Sequence, residues 1–360
     1  MRNRIRDPRL RWAAGLAVAV VLIVLPFAVD ALLGRAWVRI MDVALLFILL
    51  GLGLNIVVGY AGLLDLGYIA FFAVGAYSYA LLASPQFGIH GSFLALLPLG
   101  ALVAAVFGIL IGAPTLRLRG DYLAIVTLGF GEIIRICLNN LNRPVNITNG
   151  PQGITLIDPL AIGNIALNKT YTIAGITVAP VHSYYFVFLA CAAASIFISL
   201  RLEDSRIGRA WIAIREDELA ATSMGINTRN VKLLAFAMGA TFGGVAGGLF
   251  ASFQGFVSPE SFTIIESIMV LCMVVLGGMG NVGGVVLGAV LLTALPEALR
   301  YAGPLQKQWL GDVYIDPSDL RMLLFGLALV LMMLFRPAGL WPSTLRRREF
   351  AGGEEAHAAR

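Results

Sequence analysis

Apolar residues in this chain fall into long blocks separated by short polar stretches. Ten blocks have the length that crosses a bilayer, about 20 mostly apolar residues. They are 12–33, 37–58, 61–84, 92–114, 121–140, 183–201, 231–254, 263–282, 283–300 and 320–336. Where blocks crowd together (37–58 with 61–84, 263–282 with 283–300, and around 121–140), one helix of a pair can be re-entrant or broken. The pattern predicts an all-α polytopic membrane protein with eight to ten transmembrane helices. The first block is too long for the apolar region of a cleaved leader. Pro26 and Asp30 also stand where small cleavage-site residues would be needed.

Composition agrees. Of 360 residues, 59% are hydrophobic and 13% charged, and the mean hydropathy is +0.85. Soluble domains carry about 25% charged residues, so too little polar surface is available here to cover a soluble globule. This excludes a soluble enzyme, a disordered chain and a nucleic-acid binder. Cys137, Cys191 and Cys272 lie in separate apolar runs and read as small core residues.

The 26 Lys and Arg set the orientation. With the N-terminus inside and ten alternating spans, 18 fall inside, 7 outside and Arg135 within a span. Both termini are therefore expected in the cytoplasm, N-in and C-in. The chain divides into a basic cytoplasmic N-terminus (1–11), a transmembrane domain (12–341) and a cytoplasmic tail (342–360). Within the domain, loop 141–182 is expected outside, in the periplasm, and loop 202–230 inside.

The inside loop has a character of its own. Residues 201–232 hold 11 of the chain's charged residues. Ile207, Trp211 and Ile214 recur at helical spacing, with Arg209 and Glu216 on other faces. The pattern predicts one helix over 206–225, stopped at Gly225. Such a helix can lie on the membrane surface or dock in a groove of a partner protein. The acidic run Glu216-Asp217-Glu218 favours the partner, because anionic headgroups repel it.

Ala220-Ala221-Thr222-Ser223-Met224-Gly225 resembles the EAA loop of bacterial ABC-importer permeases, although Leu219 holds the usual Glu position. Residues 116–133, from Leu116-Arg117-Leu118-Arg119-Gly120-Asp121 to Gly129-Phe130-Gly131-Glu132-Ile133, are similar to LivM-type branched-chain amino-acid permeases. So are Gly208-Arg209-Ala210-Trp211, Gln254-Gly255-Phe256-Val257-Ser258-Pro259-Glu260-Ser261-Phe262 and Val275-Leu276-Gly277-Gly278-Met279-Gly280. The resemblance runs from about residue 40 to 342 in order and spacing.

It implies an inner-membrane permease of a heteromeric ABC importer for branched-chain amino acids. The implied partners are a second, LivH-type permease, two ATP-binding subunits, a periplasmic amino-acid-binding protein and membrane lipid. ATP and Mg would be used by the ATP-binding subunits, with no cofactor in this chain. Related permeases carry urea and short amides, so that substrate class stays open. The residues expected to couple to the ATPase are Ile207, Arg209, Trp211, Ile214, Arg215, Glu216, Glu218, Ala220, Ala221 and Gly225.

The nearest approach to a phosphate-binding loop is Gly163-Asn164-Ile165-Ala166-Leu167-Asn168-Lys169-Thr170, with Asn168 where the second Gly is required. It reads as chance, so an enzyme activity of this chain is not expected. His90, His182 and His357 lie far apart in sequence and form no metal-ligand spacing. A proton-coupled secondary transporter using Glu132 and Glu266 is the other class, but two scattered acids without an intramembrane His make a poor relay.

Glycines repeat every four residues at Gly239, Gly243 and Gly247, at Gly244 and Gly248, at Gly280, Gly284 and Gly288, and at Gly108 and Gly112. Such faces let helix backbones approach closely in lipid. Leu at Gly243 or Gly247 is expected to be harmful and Ala milder. Gly277, Gly278 and Gly280 can interrupt a helix beside the pathway, and Asn55, Gly59, Gly62 and Asp65 form a similar pattern in the first half. Glu132 and Arg135, three apart on one helix, can neutralise each other, or Glu132 can face the pathway.

Overall fold

The computed structural model describes residues 8–116, 118, 120–162, 165–173, 176–300, 323, 326–327, 330–331, 334–336 and 339–341. The segment 1–7, Arg117, Arg119, most of the expected span 320–336 and the tail 342–360 lie outside the described residues.

The apolar blocks fold as helices α1 (Pro8–Leu33), α2 (Arg35–Leu54), α3 (Ile69–Leu82), α4 (Phe93–Thr115), α5 (Asp121–Asn140) and α6 (Pro180–Glu203). Two short helices, α7 (Arg206–Glu216) and α8 (Glu218–Ser223), occupy the polar loop. Helices α9 (Thr228–Gln254), α10 (Ile264–Gly277) and α11 (Val282–Arg300) follow. Among the described residues, six helical segments are long and apolar enough to cross a membrane: Arg35–Tyr60, Phe93–Thr115, Pro180–Glu203, Thr228–Gln254, Pro259–Gly277 and Val282–Arg300. Ala17–Leu33 and Ile69–Leu82 are apolar but shorter. The chain is a multi-pass helical protein.

Helix α9 is the central post, packed on α2, α3 and α4. Its close packing comes from glycine. A Cβ on Gly247 would overlap the Phe72 carbonyl of α3, and one on Gly244 would lie 2.9 Å from the Gly100 carbonyl of α4. Gly239 faces α2, its Cβ position 2.9 Å from the Gly53 carbonyl. Gly108 and Gly112 of α4 close the same seam against Phe236. Gly284 and Gly288 of α11 do likewise, meeting the backbone of Gly277 and Met273 in α10.

Three expectations need correction. The block 61–84 is helical only from Ile69. Gly62 has φ +70°, and the Asp65 carboxylate accepts from Gly67 N at 2.9 Å, which favours a turn over a helix. The freed backbone of Leu66 is satisfied by side chains: its N–H donates to Thr127 Oγ1 (3.1 Å), and Ser267 Oγ donates to its carbonyl (2.6 Å). Irregular backbone at depth in a helical bundle needs such partners.

Second, the chain is not all-α, because loop 141–182 carries short strands. Short antiparallel ribbons pair β2 (Ala161–Ile162) with β3 (Ile165–Ala166) and β4 (Tyr171–Ile173) with β5 (Ile176–Val178). β1 (Ile154–Thr155) pairs with β6 (Phe256–Val257), tying the loop to the end of α9. β-Branched and aromatic residues on both sides of Ala174-Gly175 favour the β4–β5 ribbon. Third, the helix expected over 206–225 is two helices, for a reason given below.

Candidate coupling and gating site

The polar loop is built by three side-chain caps. Ser205 Oγ accepts from Gly208 N (3.0 Å) and starts α7. Asp217 has extended backbone, φ −153° and ψ 112°, and its carboxylate accepts from Leu219 N (2.8 Å) and Ala220 N (3.0 Å). That cap starts α8 and breaks the single helix expected from periodicity. An Asp inside an acidic run reads as one more helix charge, which hides its capping role. Asn227 caps α9 through Asn230 N (3.2 Å). Gly225 ends α8 with φ +85°, a conformation that costs other residues about 1–2 kcal/mol.

The apolar stripe of α7 does not await a partner. Trp211 is fully buried and Ile214 is 5% exposed within this chain, while Ile207 is 37% exposed. The Trp211 Nε1–H donates to the Val231 carbonyl at 2.7 Å and pins α7 to the start of α9. The acidic side is also engaged: Lys232 Nζ lies 2.6 Å from Glu218 Oε1, with the lysine almost wholly buried. Arg209 donates to the Asp204 carbonyl (2.8 Å). Ala221 is buried, and Glu216, Ala220 and Gly225 are exposed. The large apolar side chains open to the outside on α8 and its end are instead Leu219 and Met224, 70% and 84% exposed. Sequence reasoning missed both. Their signal is two bulky apolar residues inside an otherwise polar exposed segment.

From α7 a contact runs into the bundle. Arg215 Nη1 donates to the Gly59 carbonyl at 2.7 Å. Gly59 belongs to a π-helical turn, Asn55–Tyr60, that ends α2. A Cβ on Gly59 would overlap Asn55 Oδ1 and come within 2.7 Å of Gly280 N. Asn55 Oδ1 accepts from Gly280 N at 2.8 Å across the bundle. Gly280 (φ +81°) and Gly278 (φ +121°) form the break between α10 and α11. The last carbonyls of α10, orphaned by that break, accept from Leu340 N and Trp341 N, each at 2.9 Å. Two helix interruptions far apart in sequence thus meet at one point, and the loop helix touches that point.

Two residues grouped with these in sequence stand elsewhere. Asp65 belongs to the turn before α3. Glu132 pairs with Arg135, whose Nη1 also reaches Glu260 Oε1 at 3.0 Å. Arg135 is thereby shared between two carboxylates, a structural clamp between α5 and the segment before α10. Lys169 lies in a turn leading to strand β4, not at the start of a helix where a phosphate loop would place it. Among the described residues no group of three or more His, Cys, Asp or Glu is arranged to hold a metal ion.

The chain matches the family model described as "Branched-chain amino acid transport system / permease component" over residues 36–333. It is 44% identical over 346 residues, 93% of this chain and 76% of the relative, to the "High-affinity branched-chain amino acid transport system permease protein LivM" of Escherichia coli K12. It is 28% identical over 332 residues, 82% of this chain and 90% of the relative, to the "Probable branched-chain amino acid transport permease protein LivM" of Methanocaldococcus jannaschii. The "High-affinity branched-chain amino acid transport system permease protein LivH" of Escherichia coli K12 is 29% identical over 300 residues, 82% of this chain and 90% of the relative. No solved structure matches.

Proposed function

The chain belongs to the permease family of branched-chain amino acid transport systems, and we propose that it is one of two permease subunits of an ABC importer in the inner membrane. It passes a branched-chain amino acid through the bundle and makes or breaks no covalent bond. Its partners are a LivH-type permease, two ATP-binding subunits and a periplasmic amino-acid-binding protein. Both termini and the 202–230 loop face the cytoplasm, and 141–182 faces the periplasm.

The observation that carries this reading is the contact from Arg215 through Gly59 and Asn55 to Gly280. A soluble subunit that moves the α7–α8 loop would act directly on both helix interruptions. The docking surface for that subunit is α8 and its end, where Leu219 and Met224 are exposed. Trp211 and Ile214 transmit the motion from inside, as the buried attachment of α7 to α9. Paired helix breaks suit a gate, because irregular backbone shifts at less cost than a continuous hydrogen-bonded helix.

The test is leucine uptake by membrane vesicles holding the whole complex, with binding protein and ATP supplied. Uptake should need ATP, survive dissipation of the proton gradient and be competed by isoleucine and valine. Uptake abolished by an uncoupler at constant ATP would favour a proton-coupled carrier. Competition by urea or acetamide, but not by valine, would move the substrate to short amides.

A further inference from the structure

A cavity of about 300 Å³ opens between α2, α3, α9 and α10. That is the small end of the range for ligand pockets, about 300–1,000 Å³. Its wall is apolar, with Leu46, Leu50 and Phe72 buried and Phe250 half-buried. Its lining also holds two opposite charges, Arg39 near the start of α2 and Glu266 in the first turn of α10.

Arg39 is held in place there. Its Nη2 donates to Gln254 Oε1 at 3.0 Å, and its guanidinium carbon lies 5.2 Å from the centre of the Phe253 ring. A stacked guanidinium keeps its planar fork, the geometry that receives a carboxylate on two N–H groups. The cavity is also at a meaningful height. Arg39 precedes Gly59 on the α2 rod by 20 residues, about 30 Å at 1.5 Å per residue. Gln254 ends α9, whose start meets α7, and Glu266 begins α10, whose far end meets Asn55. The three polar residues therefore sit at the end of the bundle away from the 202–230 loop.

We propose that this cavity is a station on the translocation path for a zwitterionic α-amino acid with a branched apolar side chain. Arg39 takes the carboxylate, Glu266 takes the ammonium, and the side chain lies against Leu50, Phe72 and Phe250. The inference rests on the permease reading above and adds to it the residues that meet the solute. Opposite charges beside an apolar wall are complementary in kind to the carboxylate, ammonium and side chain of this solute class. Urea or a short amide can hydrogen-bond to these groups but carries no charge to balance theirs, and a simple cation would be repelled by Arg39. Without those charges the zwitterion would lose its hydration on leaving water and gain nothing in return. A two-point clamp in the cavity offsets that loss while leaving the binding weak enough to release the solute inward.

The test uses the whole complex in proteoliposomes, with binding protein saturated by radiolabelled leucine. Uptake is read per ATP hydrolysed and per assembled complex. Wild-type complex that moves no leucine would refute the permease reading itself, before the cavity is in question. Given wild-type uptake, Arg39→Gln and Glu266→Gln should each lower leucine moved per ATP by about tenfold or more, the worth of one hydrogen bond to a charged group. Arg39→Lys and Glu266→Asp should recover part of it. Val43→Phe places a ring in the cavity from a half-buried lining position of α2. It should raise the valine-to-leucine uptake ratio, by about tenfold if a full methylene's discrimination is realised. Wild-type yield per ATP in both neutral variants would overturn the proposal. So would an unchanged valine-to-leucine ratio in Val43→Phe, which also decides the matter should a charge variant fail to assemble.

Discussion

Arg215 donates a hydrogen bond of 2.7 Å to the carbonyl oxygen of Gly59, joining a helix of the polar loop to the π-helical end of α2. Gly59 lies one residue from the end of that helix, where carbonyls lack an intrahelical partner, so this oxygen can accept from outside. Gly62, with φ +70°, opens the space that the arginine stem crosses: a Cβ there would lie 2.6 Å from Arg215 Cγ.

Arg215→Ala should therefore uncouple the permease. The bond is to a charged donor, worth about 1.5–3 kcal/mol, so uptake should fall about tenfold or more. Arg215→Lys should retain part, because a single donor suffices for one carbonyl. Binding-protein-stimulated ATP hydrolysis and leucine uptake in the reconstituted complex measure both. Normal uptake per ATP in Arg215→Ala would break the proposed link from loop to gate.

Trp211 tests where the α7 stripe points. Since it is fully buried in its own chain, Trp211→Ala should cost about 3–5 kcal/mol of stability. The expected readout is less permease in the membrane and faster proteolysis of the loop, even without ATPase subunits. Trp211→Phe keeps an aromatic ring but loses the pyrrole part of the indole and the bond to Val231, and should cost less than Trp211→Ala. A Trp211→Ala protein of normal abundance and normal protease resistance, defective only in subunit binding, would instead return the stripe to the partner.

Glu218 and Lys232 should behave as a pair. Glu218→Lys sets two cations together at a lysine only 7% exposed, and breaking a buried pair costs about 3–5 kcal/mol, less here because Glu218 is partly open. Adding Lys232→Glu should restore much of the uptake. A double variant no better than the single one would show that Glu218's important partner lies on another subunit.

Leu219→Asp and Met224→Asp should weaken ATPase-subunit association while leaving permease abundance unchanged, because both side chains are exposed. Exposed apolar residues at interface cores each contribute about 1–2 kcal/mol or more when they are hot spots. Co-purification of the ATP-binding subunits is the measurement, and full retention by both variants would remove α8 from the docking surface.

The glycine face of α9 should discriminate between neighbouring positions. Gly243→Ala places its Cβ 3.2 Å from Phe71 Cβ and 3.4 Å from Phe72 N, contacts that a helix shift of a few tenths of an ångström relieves. Gly247→Ala would press on the Phe72 carbonyl and come within 2.5 Å of Ala76 N, where the neighbour is backbone. Ala should thus be tolerated at Gly243 and costly at Gly247, with Leu worse than Ala at both. Thermal stability of the purified complex should drop clearly for Gly247→Ala and little for Gly243→Ala.

The sequence by itself determined the class of protein and most of its helices. A membrane demands long uninterrupted apolar runs, so composition and block length leave few alternatives for Arg35–Tyr60, Phe93–Thr115 or Thr228–Gln254. The four-residue glycine repeats were legible because helix period is local and close packing in lipid favours small residues. What the tertiary structure decided was pairing and direction. Periodicity grouped Ile207, Trp211 and Ile214 on one face but could not say that α9 covers it. The same apolar stripe serves either a partner or the chain's own core. Asn55 and Gly280 lie 225 residues apart, and no local pattern links a lone Asn in one apolar run to a glycine break in another. Nothing in the sequence singles out Arg39, and Glu266 reads as one of two scattered acids. Only the packing of α2 against α10 places both charges on one cavity, because a hydrophobic block fixes that a helix exists and not which neighbour its few polar side chains will meet.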